Sequence, residues 1–207
     1  MGARHWDGAA YLSHAATGVP ASEPVTVAEA KAHANVTSAT DDGLIGGLII
    51  AAREYVEGLV KGPLIQRTHR LRLRDFPSGG ALMLPAWPVS AVGSVQYMDS
   101  ANALQTLASS SYSLDADGSP AYLIRAGTLT SWPVTAPQDG AWGVSIEYTA
   151  GYTSAAAVPQ TLKQAILMTF AYWYDNARAT ATAENLREAP HAVEALCRTF
   201  ARTRWSG

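Results

Sequence analysis

Thr68-His69-Arg70-Leu71-Arg72-Leu73-Arg74 is the stretch where the spacing of apolar residues changes, and its reading decides the fold. Polar and apolar residues alternate near its end. In a strand this puts Leu71 and Leu73 on one face and Arg70, Arg72 and Arg74 on the other. Upstream the spacing is helical. Leu44, Leu48, Ala51, Tyr55 and Leu59 form one stripe, widened by Ile45, Ile49 and Val56, with Arg53, Glu54 and Glu57 to one side. Thr40, Asp41 and Asp42 supply a cap and negative charge for the start of that helix, and Lys61-Gly62-Pro63 stops it. Before it, Thr26-Val27-Ala28-Glu29 is a capping box that opens a shorter helix ending near Asn35.

Downstream, short apolar runs alternate with turn signals. Leu82-Met83-Leu84, Val89 to Met98, Tyr112-Ser113-Leu114, Ala121 to Ile124 and Val144 to Tyr148 read as strands. Ser78-Gly79-Gly80, Asp117-Gly118-Ser119-Pro120 and Asp139-Gly140 read as turns. After Val158-Pro159 the helical spacing returns. Leu162, Ile166, Phe170 and Trp173 form one face and Leu167, Ala171 and Tyr174 another, in a helix whose only charge between residues 160 and 174 is Lys163. A last helix from His191 to Arg204 puts Val193, Leu196, Cys197 and Phe200 on its apolar face. The fold class is therefore α+β. Helices 26–63 and 158–204 form a small bundle, and residues 64–157 form an inserted antiparallel β module, a sandwich or a small barrel. Residues 1–25 carry no period and read as an extended arm, disordered unless a partner pins it.

Composition excludes several functions. The 207 residues carry 15 Lys and Arg against 17 Asp and Glu, so the chain lacks the basic excess of a general nucleic-acid binder. A single cysteine, Cys197, excludes an intramolecular disulfide framework and a Cys-rich zinc site, which fits a reducing compartment. No apolar run reaches the length of a membrane span, and the N-terminus has neither an apolar secretion segment nor a myristoylation signal. The expectation is a soluble intracellular protein with no membrane partner. Charged residues make up only 15%, which hints that part of the surface is covered by a partner.

Enzyme motifs are missing: there is no HExxH, GxSxG, P-loop or GxGxxG. His5, His14, His33, His69 and His191 are scattered, with no spacing for a metal or cofactor site. His33 and His69 read as half-exposed polar residues and Cys197 as a small buried hydrophobe. Asp41-Asp42 reads as a cap and Asp115/Asp117 as turn chemistry. Trp87, Trp132, Trp142, Tyr148 and Tyr152 could stack on sugars, but packing is the preferred reading. Two basic groups stand out: Arg70, Arg72 and Arg74 on the strand, with Arg67 beside them, and Arg198, Arg202 and Arg204 near the C-terminus. Each is either a solvated face or a contact for an acidic surface or DNA phosphates.

The order of segments resembles a known family. Val25 to Lys31, the acidic linker and long helix, Leu64-Ile65-Gln66-Arg67-Thr68, Leu84-Pro85-Ala86-Trp87-Pro88-Val89, Val144 to Tyr152, Val158 to Ile166 and Tyr172-Trp173-Tyr174 follow one another as in tailed-phage head–tail connector proteins, also called adaptor or head-completion proteins. The likeness spans about residue 25 to residue 200. Departures are the longer N-terminal arm and the Ala/Thr-rich stretch from Ala177 to Ala183.

The resemblance implies a structural virion protein with no catalytic residue and no cofactor. It would form a ring, a dodecamer in the family, between portal protein and tail, with double-stranded DNA passing through the lumen without sequence specificity. A tail terminator or stopper protein would dock beneath it. The home would be the neck of a phage, prophage or gene transfer particle assembled in a bacterial cytoplasm. On this reading Arg198, Arg202, Arg204 and Trp205 are the candidates for portal docking, and Arg70, Arg72 and Arg74 for the channel or an acidic surface. The alternatives are another neck or tail-completion protein, or a ligand-binding β module with helical flanks.

Overall fold

A computed structural model describes residues 5–6, 9–118, 120–136, 141–179 and 191–200. They fall into two compact units, one drawn from residues 1–19 and 66–151, the other from residues 20–65 and from Tyr152 onward.

The second unit is helical, with α1 over Val27–His33, α2 over Asp42–Val60, α3 over Gln160–Ala179 and α4 over His191–Arg198. The capping box at α1 is complete. Thr26 accepts from the Glu29 N–H at 3.1 Å, and the Glu29 carboxylate accepts from the Thr26 N–H at 2.7 Å. At the start of α2, Asp41 makes no side-chain cap; its carboxylate instead accepts from the Tyr174 hydroxyl at 2.8 Å, and Lys31 pairs with Asp42 at 2.7 Å. Lys61, not Gly62, takes the left-handed conformation that ends the helix (φ 59°).

The face that α2 buries is displaced by one residue from the expected stripe. Ile45, Ile49, Ala52, Val56 and Val60 are buried against Leu162, Ile166 and Phe170, whereas Leu44 is 48% exposed. One residue is about 100° of helix rotation, so two neighbouring stripes are equally periodic and the packing partner chooses between them.

The first unit is all β. Strands β1 (His5–Trp6), β2 (Ala9–Ala16), β3 (Arg67–Leu73), β4 (Ala81–Leu84), β5 (Val89–Met98), β6 (Leu104–Thr106), β7 (Tyr112–Asp115), β8 (Ala121–Arg125) and β9 (Val144–Ala150) form two antiparallel sheets. The larger has the order β1-β2-β3-β9-β5-β6, the smaller β4-β8-β7. Leu71, Leu73, Val95, Val144 and Ile146 of one sheet share a core with Leu82, Leu84, Ala121 and Leu123 of the other. This is a sandwich, and neither sheet closes, so the small-barrel alternative is corrected. β9 is nearly continuous in burial because it lies between β3 and β5 at the centre. Gly151, at φ 115°, ends it with a backbone conformation that a side chain would strain.

A second correction concerns the arm. Residues 9–16 are a strand paired along β3, from Tyr11 opposite Leu73 to Ala16 opposite His69. The missing period has a cause. A bulge between Tyr11 and Ser13 breaks the alternation, so Tyr11 and His14, three positions apart, lie opposite the inward residues Leu73 and Leu71.

Candidate functional site

The alternation in β3 sorts its side chains as expected for the leucines: Leu71 is 1% and Leu73 2% exposed. The three arginines of the other face are not equivalent. Arg70 directs both Nε (3.0 Å) and Nη2 at one oxygen of Glu147, its neighbour on β9. Its charge is thereby compensated. Arg72 lays its guanidinium over the Trp142 ring, 5.4 Å from the centroid, and its Nε has no hydrogen-bond partner among the described residues. Arg74 lies just past the strand end and is exposed. Of Arg70, Arg72 and Arg74, only Arg70 has a carboxylate partner among the described residues.

In α4, Val193 and Cys197 are buried and Arg198 is exposed on the last turn. Burial, assisted by the nearby Glu194, pushes the Cys197 thiol up to about 11, so it stays a protonated apolar plug. Arg202, Arg204 and Trp205 lie outside the described residues.

Two polar clusters escaped the sequence reading. In the helical unit Arg53 is 3% exposed and meets Glu23 (2.7 Å), Glu57 (3.0 Å) and Glu54 (3.5 Å), while Glu57 also accepts the Leu64 N–H at 2.8 Å. Burial opposes the Arg53 charge, but the Glu23 hydrogen bond and the three carboxylates outweigh it and raise its pKa. In the sandwich His69 is not half-exposed but 4% exposed, and its ring meets those of His14 (5.2 Å) and Tyr148 (5.8 Å), which lie 6.0 Å from each other. The Tyr148 hydroxyl accepts from the Ala86 N–H at 3.0 Å and lies 2.9 Å from His14 Nε2. The direction of that second hydrogen bond follows the tautomer of the His14 ring. A signal for His69 was present: residues 69, 71 and 73 have the same parity as the buried leucines. For His14 there was none, since the bulge hides its parity.

Among the described residues no three His, Cys, Asp or Glu side chains group as metal ligands, and no helix is long and apolar enough to cross a membrane. A shallow groove of about 350 Å³ runs beside α2, lined by Val25, Val27, Ile49 and Ile50 with Glu23 at its edge.

The model of the family described as "Head completion protein" matches residues 23–185, most of the chain. The chain belongs to the head completion protein family. It is a structural protein of the virion rather than an enzyme. Solved structures agree with this head completion protein over nearly its whole length. The neck of a native gene transfer agent particle computed with C12 symmetry matches at a TM-score of 0.69 and 26% identity, covering 95% of this chain and 98% of that one. The neck of an empty gene transfer agent particle computed with C6 symmetry matches at 0.75 and 23% identity, with the same coverage. The virion of a native particle matches at 0.70 and 24%, again with 95% and 98% covered. Curated proteins return no match.

Proposed function

We propose that this head completion protein forms an adaptor ring in the particle neck, between a portal protein and a tail terminator or stopper protein, extending the DNA channel. The observation that carries this reading is the match to the C12-symmetric neck of a gene transfer agent particle at 26% identity over 95% of the chain. On this reading the ring is a dodecamer on the portal axis, assembled in the bacterial cytoplasm.

The physical chemistry supports it. A closed head-to-tail ring needs two different complementary patches on every copy. The chain has apolar surface to cover, with Leu44 (48% exposed) and Ile50 (44%) on α2. Docking on the portal falls to the C-terminal group Arg198, Arg202, Arg204 and Trp205, a cationic cluster with an aromatic anchor. DNA in the lumen would be met by Arg72 and Arg74, which supply charge without reading bases; Arg70 is committed to Glu147.

The test is a chain ended after Phe200. It should remain folded by circular dichroism, while particles made with it carry heads without tails. Normal tailed, DNA-filled particles would overturn the docking assignment, and a particle reconstruction that places the chain outside the neck would overturn the function.

A further inference from the structure

Strand β2 is held by unusually few side chains. Along residues 11–16 only Tyr11 and His14 are turned from solvent; Leu12, Ser13, Ala15 and Ala16 are exposed. His14 stacks on His69 of β3 with the ring planes 15° apart, and its Nε2 shares a hydrogen bond with Tyr148 of β9. His69 is enclosed with both ring nitrogens unpartnered among the described residues. We propose that the His14–His69–Tyr148 stack is an acid-sensitive latch, which fastens β2 to the sheet while both imidazoles are neutral and releases it when they take up protons.

The geometry leaves a proton poorly accommodated. A charged His14 ring can only donate through Nε2, so the Tyr148 hydroxyl, which already accepts the Ala86 N–H, would have to accept a second hydrogen bond there. A charge on His69 sits in an enclosed site with no acceptor among the described residues. Two charges would lie with ring centroids 5.2 Å apart. From neighbouring elements the Tyr148 ring on β9 meets both imidazoles and Arg67 on β3 acts on His69, and neither is a carboxylate that would welcome the proton.

Both histidines are accordingly held near 4, His14 by burial and His69 by burial, His14 and Arg67. The sign follows from linkage. With the docked pKa below the undocked value of 6.5, the released strand binds more protons. Docking is therefore at full strength above about pH 6.5 and weakens as the pH falls towards 4. Between pH 7.5 and pH 5 each histidine should shift the opening equilibrium by roughly tenfold to thirtyfold. Release would bare the β3 edge, a row of backbone donors and acceptors open to another strand.

Amide hydrogen exchange on the full chain, corrected for intrinsic rates, reads this directly. Protection of residues 9–16 should fall at least tenfold from pH 7.5 to pH 5, with residues 144–150 of β9 unchanged as an internal standard. Equal protection of residues 9–16 at the two pH values would overturn the latch. The double variant His14→Phe/His69→Phe keeps stacked rings without titration and should lose the pH dependence; retaining it in full would also overturn the proposal. Should that variant not fold, imidazole NMR titration of the unaltered chain decides. Both rings staying neutral down to pH 5 supports the latch, and both titrating near 6.5 refutes it.

Discussion

Arg53 in the helical unit and His69 in the sandwich are about equally hidden, at 3% and 4% exposure, yet they solve burial in opposite ways. Arg53 cannot shed its proton, so it is surrounded by Glu23, Glu54 and Glu57 and stays charged. His69 has no hydrogen-bond partner among the described residues and stays neutral instead. The lesson is that low exposure alone says nothing about charge: the available partners decide it. The helical unit thus buries a charge among carboxylates, whereas the sandwich buries neutral imidazoles where β2 joins β3.

The largest break in this contrast should come from Arg53→Ala. It strands the nearly buried Glu57 carboxylate without its cation and should cost about 3–5 kcal/mol in urea unfolding. In the sandwich the matching change is Tyr148→Phe, which leaves the Ala86 N–H and His14 Nε2 without their partner. About 1–3 kcal/mol should be lost, and protection of residues 9–16 should fall with it. Thr26→Ala removes one side of the capping box and should cost about 1 kcal/mol, read as a lower thermal midpoint. The smallest effect belongs to Arg70→Ala. Its pair with Glu147 is 40% and 37% exposed, so solvent screening should keep the loss within about 1 kcal/mol, and added salt should shrink it further. An Arg70→Ala loss as large as that of Arg53→Ala would remove the distinction between buried and exposed ion pairs here.

Much of the fold was legible because it rests on local rules. Thr26 and Glu29 announced α1, Pro159 the start of α3, and the parity of Leu71 and Leu73 the inner face of β3, each through a spacing that one element enforces on its own. The arm was misread because a bulge is a two-strand feature. Tyr11 and His14 share a face only through their register on β3, and no spacing within residues 9–16 displays that. Strand β6 was missed for a related reason. Leu104-Gln105-Thr106 is an exposed edge held through backbone pairing with β5, so its side chains carry no pattern of burial.

The candidate site divides in the same way. Arg70, Arg72 and Arg74 could be placed on one face from sequence, but only the register of β9 brought Glu147 to Arg70, and only the fold brought Trp142 under Arg72.

By itself the sequence determined the helices and most of the strands, where most of them start and stop, and that a run of strands lies between two groups of helices. Those properties depend on backbone preferences and on the repeat of apolar residues within a single element. The tertiary structure alone decided which of two adjacent stripes α2 buries, which arginine meets a carboxylate, and that two distant histidines share one stack. Each of those depends on contacts between residues far apart in the chain, whose energies no local repeat records.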